Sequence, residues 1–117
     1  VVGSGTSTTE NMLQKYPDLN TIVCYGDAAA VESMEAAKAA GVDSENFGIF
    51  SCDGTAQALE GIANGDPQKG TIAFAPLAPM MAEYSERLMA GETFTEVITA
   101  ETITITSENL SEYYTAE

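Results

Sequence analysis

The sequence contains no histidine, and only four of its 117 residues are lysine or arginine. Without histidine, this chain cannot assemble a Ser-His-Asp or a Cys-His catalytic group. Nucleic-acid binding relies on clustered cations that displace counterions. Here the formal charge is −14, and the cations are scattered singly as Lys15, Lys38, Lys69 and Arg87. DNA and RNA are therefore excluded as partners of this segment, and the same charge disfavours anionic membrane surfaces.

Cysteines and long apolar runs are also scarce. Two cysteines, Cys24 and Cys52, are too few for a zinc site, and the acidic residues show no EF-hand spacing, so we expect neither a metal nor a cofactor. Reduced thiols are favoured over a disulfide, because residues within parallel strands seldom bring their Cα atoms within about 7 Å with converging Cβ atoms. No apolar run approaches the roughly 20 residues of a membrane-spanning helix. Val1 opens no recognisable signal peptide.

The chain does contain a repeated unit of an apolar strand, an acidic turn and an alanine-rich helix. A predicted strand over residues 21–25 leads to Asp27 and a helix over 28–40, and a strand over 47–52 leads to Asp53 and a helix capped by Thr55. Parallel strands end at the same edge of a sheet, where open α/β folds bind ligands. The sequence therefore predicts that the two aspartates face one crevice.

The other segments complete the prediction of an α/β fold with a doubly wound, mainly parallel sheet flanked by helices. A capping box from Ser7 to Glu10 predicts the start of a first helix. Gly3–Thr8 contains Gly-x-Gly but has Thr8 in place of the third glycine of a dinucleotide-binding motif, so this segment is interpreted as a loop without that function. The further predicted elements are helices to residue 15, over 76–90 and over 107–114, and strands over 71–74, 96–100 and 102–106.

Asp27 and Asp53 each have a functional and a structural interpretation. As a pair of carboxylates they would suit glycoside hydrolysis or general acid and base catalysis. Asp27 also suits the N-cap of the helix that follows it, and this structural role is favoured. Asp53 lies outside the cap formed by Thr55, so its side chain is free to enter the crevice. The alternative for Asp53 is a simple Asp-Gly turn.

Several motifs follow one another along nearly the whole chain: residues 10–23, Gly26-Asp27 before the alanine-rich helix, Cys-Asp-Gly-Thr at 52–55, and the segments 70–76, 88–92 and 103–109. Their order and spacing resemble the rear half of type I periplasmic solute-binding proteins, most of all the sugar-binding group typified by the ribose-binding protein. The resemblance implies two lobes that close around a small solute and deliver it to an ABC permease in the membrane. It also implies an extracytoplasmic location, in the periplasm or as a lipoprotein behind a signal sequence.

The resemblance further implies how the chain is divided. Residues 1–75 would form a C-terminal ligand-binding lobe. Residues 76–94 would hold a helix that belongs to an N-terminal lobe outside this fragment, and residues 95–117 would return as strands and a terminal helix. The chain would then be a solute receptor and not an enzyme. The alternative function is the effector-binding domain of a sugar-responsive transcription regulator, which shares this fold.

The predicted ligand-binding residues are Asp53, Phe74, Gly26, Tyr25 and Asp27. The family's hydroxyl-binding aspartate matches Asp53. Gly26 and Phe74 stand where the family usually has asparagine and glutamine, so two usual hydrogen-bonding side chains are replaced. Phe74, with Tyr25, would instead stack on a sugar face or line a more apolar pocket, and the alternative for both rings is packing at the edge of the sheet.

Overall fold

The computed structural model describes residues 4–115, and the strands in this range form one sheet. The strands are β1 (Thr21–Val23), β2 (Gly48–Asp53), β3 (Gln68–Phe74) and β4 (Thr102–Thr106). They lie in the order β1-β2-β3-β4, with the first three parallel and β4 antiparallel to β3. The predicted mainly parallel α/β fold is confirmed.

Helices precede, connect and follow the parallel strands. They are α1 (Ser4–Lys15), α2 (Asp27–Ala39), α3 (Ala56–Ala63) and α4 (Leu77–Met89), and a 3-10 turn at Leu110–Glu112 comes near the end. The predicted cap of α3 is confirmed, since the Thr55 hydroxyl accepts a hydrogen bond from the Ala58 N–H. None of the helices in the described part of the chain is long and apolar enough to cross a membrane.

The apolar core lies between one face of the sheet and the helices α2 and α3. Ile22 and Ile49 point to this face and pack with Met34 and Ala37 of α2. A second cluster joins Leu59 and Ile62 of α3 to Ile105 of β4. The period-2 alternation of the strands turns the intervening side chains to the opposite face, where Val23, Phe50 and Phe74 are exposed.

The prediction for the first helix was wrong at its start. α1 begins at Ser4, so residues 4–8 are helical instead of forming a loop, and Ser7 is not a cap; Gly3 lies outside the described residues. The cause is tertiary, because Gly5 is buried against α2 and donates its N–H to Glu32 Oε2 at 2.8 Å. A Cβ at Gly5 would lie 2.7 Å from the Ala29 carbonyl oxygen, so only glycine allows this approach.

The second error concerns the segment between α4 and β4, where residues 96–100 form no strand. Arg87 of α4 donates hydrogen bonds to both carboxylate oxygens of Glu92, and its guanidinium lies 4.8 Å and 4.7 Å from the ring centroids of Tyr84 and Phe94. These contacts tie the segment to α4 and not to the sheet. They also raise the pKa of Arg87 and lower that of Glu92.

The end of the chain departs from prediction as well. The helix expected over residues 107–114 is reduced to the 3-10 turn Leu110–Glu112. The Asn109 side chain explains the change, since Asn109 Oδ1 accepts from the Thr106 N–H at 2.9 Å and its Nδ2 donates to the Thr104 carbonyl at 3.0 Å. An asparagine that bonds the backbone in this way competes with helix formation.

Candidate functional site

The carboxyl ends of the three parallel strands carry the predicted site residues. Tyr25 and Gly26 follow β1, Asp53 ends β2, and Phe74 ends β3. Asp53 is paired in register with Ala73, so Phe74 lies one residue beyond Asp53 on the neighbouring strand. The prediction that the turns after the first two parallel strands share one edge of the sheet is confirmed, and the role of these residues in ligand binding stays a prediction.

Asp53 is the exposed carboxylate of this edge and has an unusual backbone. Its φ is 122°, the only positive φ of a non-glycine residue among residues 4–115. Such conformations cost an L residue free energy and persist only where surrounding contacts hold them. The next residue, Gly54, also has a positive φ, and a Cβ there would lie 2.6 Å from Ala73 Cβ. The β2–α3 turn is therefore pressed tightly against β3.

Gly26 lets the Asp53 carboxylate approach the start of α2. A Cβ at Gly26 would lie 3.0 Å from Asp53 Oδ2. The same oxygen accepts a hydrogen bond from the Asp27 N–H at 3.3 Å. This N–H belongs to the first turn of α2, whose unpaired amides and dipole favour a negative charge. Asp53 thus has one oxygen engaged by the helix, and its side chain remains accessible to solvent.

Asp27 has a different role from the predicted one. The residue at the N-cap of α2 is Gly26, and Asp27 is the first residue of the helix. The prediction that Asp27 caps α2 is therefore wrong. Its side chain is fully buried and reaches across to the next two strands instead of turning back to its own helix.

The Asp27 carboxylate accepts four hydrogen bonds, two on each oxygen. The Ser51 and Thr71 hydroxyls donate to Oδ1 at 2.5 Å and 2.7 Å. The N–H and the hydroxyl of Thr55 donate to Oδ2 at 2.6 Å and 2.9 Å. All four partners are donors, and together they fill the usual capacity of an ionised carboxylate. A buried charge is tolerated here because it is fully hydrogen-bonded.

The two aspartates are neighbours, but the structure does not make them a pair of catalytic carboxylates facing one crevice. A glycosidase needs both groups to reach the scissile bond from opposite sides. Asp27 is buried with its oxygens occupied, and only Asp53 is exposed. No group of three or more metal-ligating side chains occurs within the described range.

Sequence reasoning missed the polar residues that surround Asp27. Ser51 and Thr71 occupy inward positions of β2 and β3, and Gln68 Nε2 donates to the Ser51 hydroxyl at 2.9 Å. The available signal was the presence of hydroxyl and amide side chains at positions where the strand alternation requires burial. Buried polar groups need partners, so these positions pointed to a shared acceptor.

Cys24 and Cys52 are unpaired and half-buried in the structure. Cys24 packs against the core cluster beneath α2, with its Sγ 3.7 Å from the Ser33 hydroxyl. Cys52 is adjacent to the exposed Phe50 on β2 and lines a pocket with Val23 and Ile72.

Both sides of Asp53 carry exposed aromatic rings. Tyr25 is 85% exposed after β1, and Phe74 is 44% exposed at the end of β3. The strand order places β2 between β1 and β3, so the carboxylate lies on the central strand of the three. An acceptor flanked by aromatic residues is an arrangement that can bind a hydroxyl-bearing ring through its edge and its face.

Comparisons with known proteins extend these observations. No family model matches the chain, and no curated protein does. Among solved structures, a sugar transporter subunit from Rhodobacter sphaeroides is 25% identical with a TM-score of 0.78, over 92% of this chain and 40% of that one. The Caulobacter myo-inositol binding protein, solved with myo-inositol, is 26% identical with a TM-score of 0.76, over 92% of this chain and 38% of that one.

A third similar structure is a periplasmic solute-binding protein from Actinobacillus succinogenes with bound D-allose. It is 20% identical with a TM-score of 0.84, over 96% of this chain and 39% of that one. The chain thus spans about two fifths of the length of these solved proteins. The resemblance predicted from the sequence is confirmed: the chain is similar to part of a type I periplasmic solute-binding protein.

Proposed function

We propose that this chain is part of the substrate-binding component of an ABC importer and that it binds a small sugar or sugar-like solute between two lobes. The observation that carries the proposal is Asp53, an exposed carboxylate held in a strained backbone at the carboxyl edge of an α/β sheet, the edge at which open sheets of this kind generally bind ligands. Strained residues cluster at ligand sites, where the strain fixes a side chain in its working position.

The chemistry of this edge suits a polyhydroxylated ligand. Asp53 would accept hydrogen bonds from hydroxyl groups, and charge-assisted bonds of this kind are about twice as strong as neutral ones. Tyr25 and Phe74 would pack on the apolar face of a sugar ring. Two of the similar structures were solved with myo-inositol and with D-allose, which carry such hydroxyls. Gly26 supplies no side chain, so the ligand would approach the backbone there.

The division of the chain into lobes belongs to the same proposal. Residues 1–75 would form most of one lobe, and residues 95–117 would return to it. Helix α4 would pack on the second lobe. Its support is that α4 buries none of its residues within the described chain and leaves Leu77, Met81 and Leu88 exposed. Hinge closure would then present the loaded protein to a membrane permease outside the cytoplasm.

Ligand-dependent thermal shifts of the full-length protein test the proposal. We expect myo-inositol, D-allose or another sugar in the panel to raise the melting temperature, because a ligand at 100 times its Kd stabilises a protein by about 2.7 kcal/mol. Nucleosides and amines complete the panel. Asp53→Asn keeps the shape of the side chain but removes its charge, and should abolish the shift.

Asp43→Asn is the matched control, since Asp43 is an exposed aspartate in the turn after α2, away from the site. It should leave the shift unchanged. A panel in which no sugar stabilises the protein, or a shift that survives Asp53→Asn, would contradict the proposal. A helix-turn-helix segment in the full-length protein would favour the transcription regulator instead.

A further inference from the structure

The backbone around Asp53 is anchored from both sides by one buried side chain. Thr55, two residues after Asp53, donates its N–H and its hydroxyl to Asp27 Oδ2. Gly54 donates its N–H to the Thr71 hydroxyl at 3.2 Å, and that hydroxyl in turn donates to Asp27 Oδ1. Both residues that follow Asp53 are therefore tied to the Asp27 carboxylate, one directly and one through Thr71.

Asp27 also contacts Asp53 itself. Its N–H donates to Asp53 Oδ2, so the same residue orients the Asp53 carboxylate with its backbone and the Asp53 turn with its side chain. A non-glycine residue at a φ of 122° would relax to an ordinary extended conformation unless such contacts opposed it. Ser51, two residues before Asp53, completes the arrangement by donating to Asp27 Oδ1.

We propose that Asp27 is a positioning residue for ligand binding, which acts only through Asp53 by holding its strained backbone and carboxylate in place. The ligand in this inference rests on the proposed function, whereas the contact between Asp27 and Asp53 does not depend on that function. This positioning role stands in place of the predicted direct contact between Asp27 and the ligand, because both Asp27 oxygens are buried and already accept hydrogen bonds from the chain.

The substitution that tests this is Asp27→Asn. The amide removes the charge and places an N–H₂ where the carboxylate has an accepting oxygen, so two of the four hydrogen bonds would be lost or reversed in direction with little change in volume. Asp43→Asn is again the matched control, because Asp43 accepts hydrogen bonds from the Glu45 N–H and Asn46 in an exposed turn that has no contact with Asp53.

The first measurement needs no ligand. The three-bond coupling between the amide and α protons of Asp53, read by NMR, is small at its positive φ and large in an ordinary extended strand. We expect Asp27→Asn to raise this coupling and Asp43→Asn to leave it unchanged. A loss of global stability alone does not alter the coupling of molecules that remain folded. A coupling that stays small in Asp27→Asn would overturn the inference.

The second measurement is a double-mutant cycle on affinity, with myo-inositol and D-allose as probes. Asp27→Asn and Asp53→Gly should each weaken binding roughly 10- to 100-fold, the range expected for one hydrogen bond to a charged group. Glycine is chosen because it tolerates the positive φ. If Asp27 acts only through Asp53, Asp27→Asn should change affinity less than about 2-fold in the Asp53→Gly background.

The outcomes separate the two proposals. Losses that multiply in the double variant would give Asp27 an independent contribution and refute the inference, while leaving Asp53 as a ligand contact. Failure of both probes to bind the unmodified protein would count against the proposed function, and the coupling would still decide the positioning. If Asp27→Asn does not fold, Thr55→Ala removes one donor of the four and should raise the same coupling to a smaller extent.

Discussion

Replacing Gly54 with alanine should destabilise the protein far more than replacing Gly65, although the two glycines have almost the same backbone. Their φ values are 72° and 71°. A Cβ at Gly65 meets nothing within 4 Å, whereas a Cβ at Gly54 would lie 2.6 Å from Ala73 Cβ and 3.2 Å from Ala73 Cα. The pair therefore separates the cost of the left-handed conformation from the cost of a collision with the neighbouring strand.

The magnitudes follow from these two terms. A left-handed conformation costs an L residue roughly 1–2 kcal/mol, which applies to both variants. The gain from restricting the unfolded chain, about 0.4–1 kcal/mol, also applies to both and cancels in the comparison. Forcing a methyl group against packed atoms adds about 1–3 kcal/mol at Gly54 alone. Gly54→Ala should therefore cost about 1–3 kcal/mol more than Gly65→Ala.

Urea unfolding of the two variants and the parent protein provides the measurement. The midpoint should fall further for Gly54→Ala with an unchanged m-value, which indicates that stability and not the unfolded state has changed. Free energies of unfolding that agree within about 0.5 kcal/mol would refute the reasoning, because the β2–α3 turn would then have room to move away from β3. Gly41→Ala offers a second control, since its φ is 75° and its surroundings are also open.

Three further predictions concern other contacts. Thr71→Val should lower the free energy of unfolding in urea by about 2–3 kcal/mol, because it leaves Asp27 short of one donor and the Gly54 N–H without an acceptor. Thr104→Val, on the exposed face of β4, should leave the free energy of unfolding nearly unchanged. Asp53→Gly should be about 1–2 kcal/mol more stable than Asp53→Ala, which is the reverse of the order in an ordinary strand. Equal stabilities of the two variants would show that the positive φ at position 53 stores no strain. The pKa of Glu92, followed by NMR, should lie below its ordinary 4.5 and return to it in Arg87→Gln. Because the folded-state pKa is lowered, the ion pair stabilises the α4 segment above the ordinary pKa, and this contribution is lost as the pH falls through the lowered value.

The anchoring of Arg87 shows why the sequence misjudged the segment before β4. Valine, isoleucine and threonine at 96–100 favour a strand, but propensity is a weak guide when long-range contacts compete. The guanidinium packs against the rings of both Tyr84 and Phe94 and makes two bonds to Glu92, and these contacts fix the chain beside α4. Only β4 itself, with its strict alternation, pairs with β3.

Local patterns were enough to determine the class of fold and the edge of the sheet at which the candidate site residues lie. The unit of strand, acidic turn and helix occurs twice, and apolar periodicity shows which face of each element is buried. The parallel sheet and its carboxyl edge therefore follow from short-range sequence patterns. The order and spacing of motifs along nearly the whole chain were likewise sufficient to predict the resemblance that the solved structures confirm.

The tertiary structure alone decided what each aspartate does. Asp27 and Asp53 stand in similar local sequences. The capping preference of aspartate predicted that Asp27 caps the helix that follows it, as many aspartates at helix starts do. Donors from β2, β3 and the turn before α3 converge on the buried Asp27. Asp53 is exposed, and its carboxylate reaches the start of α2 because Gly26 has no side chain there. The partners of Asp27 lie 24 to 44 residues away in the chain, and a contact of that range is fixed by how the strands pack side by side and not by any pattern of neighbouring residues.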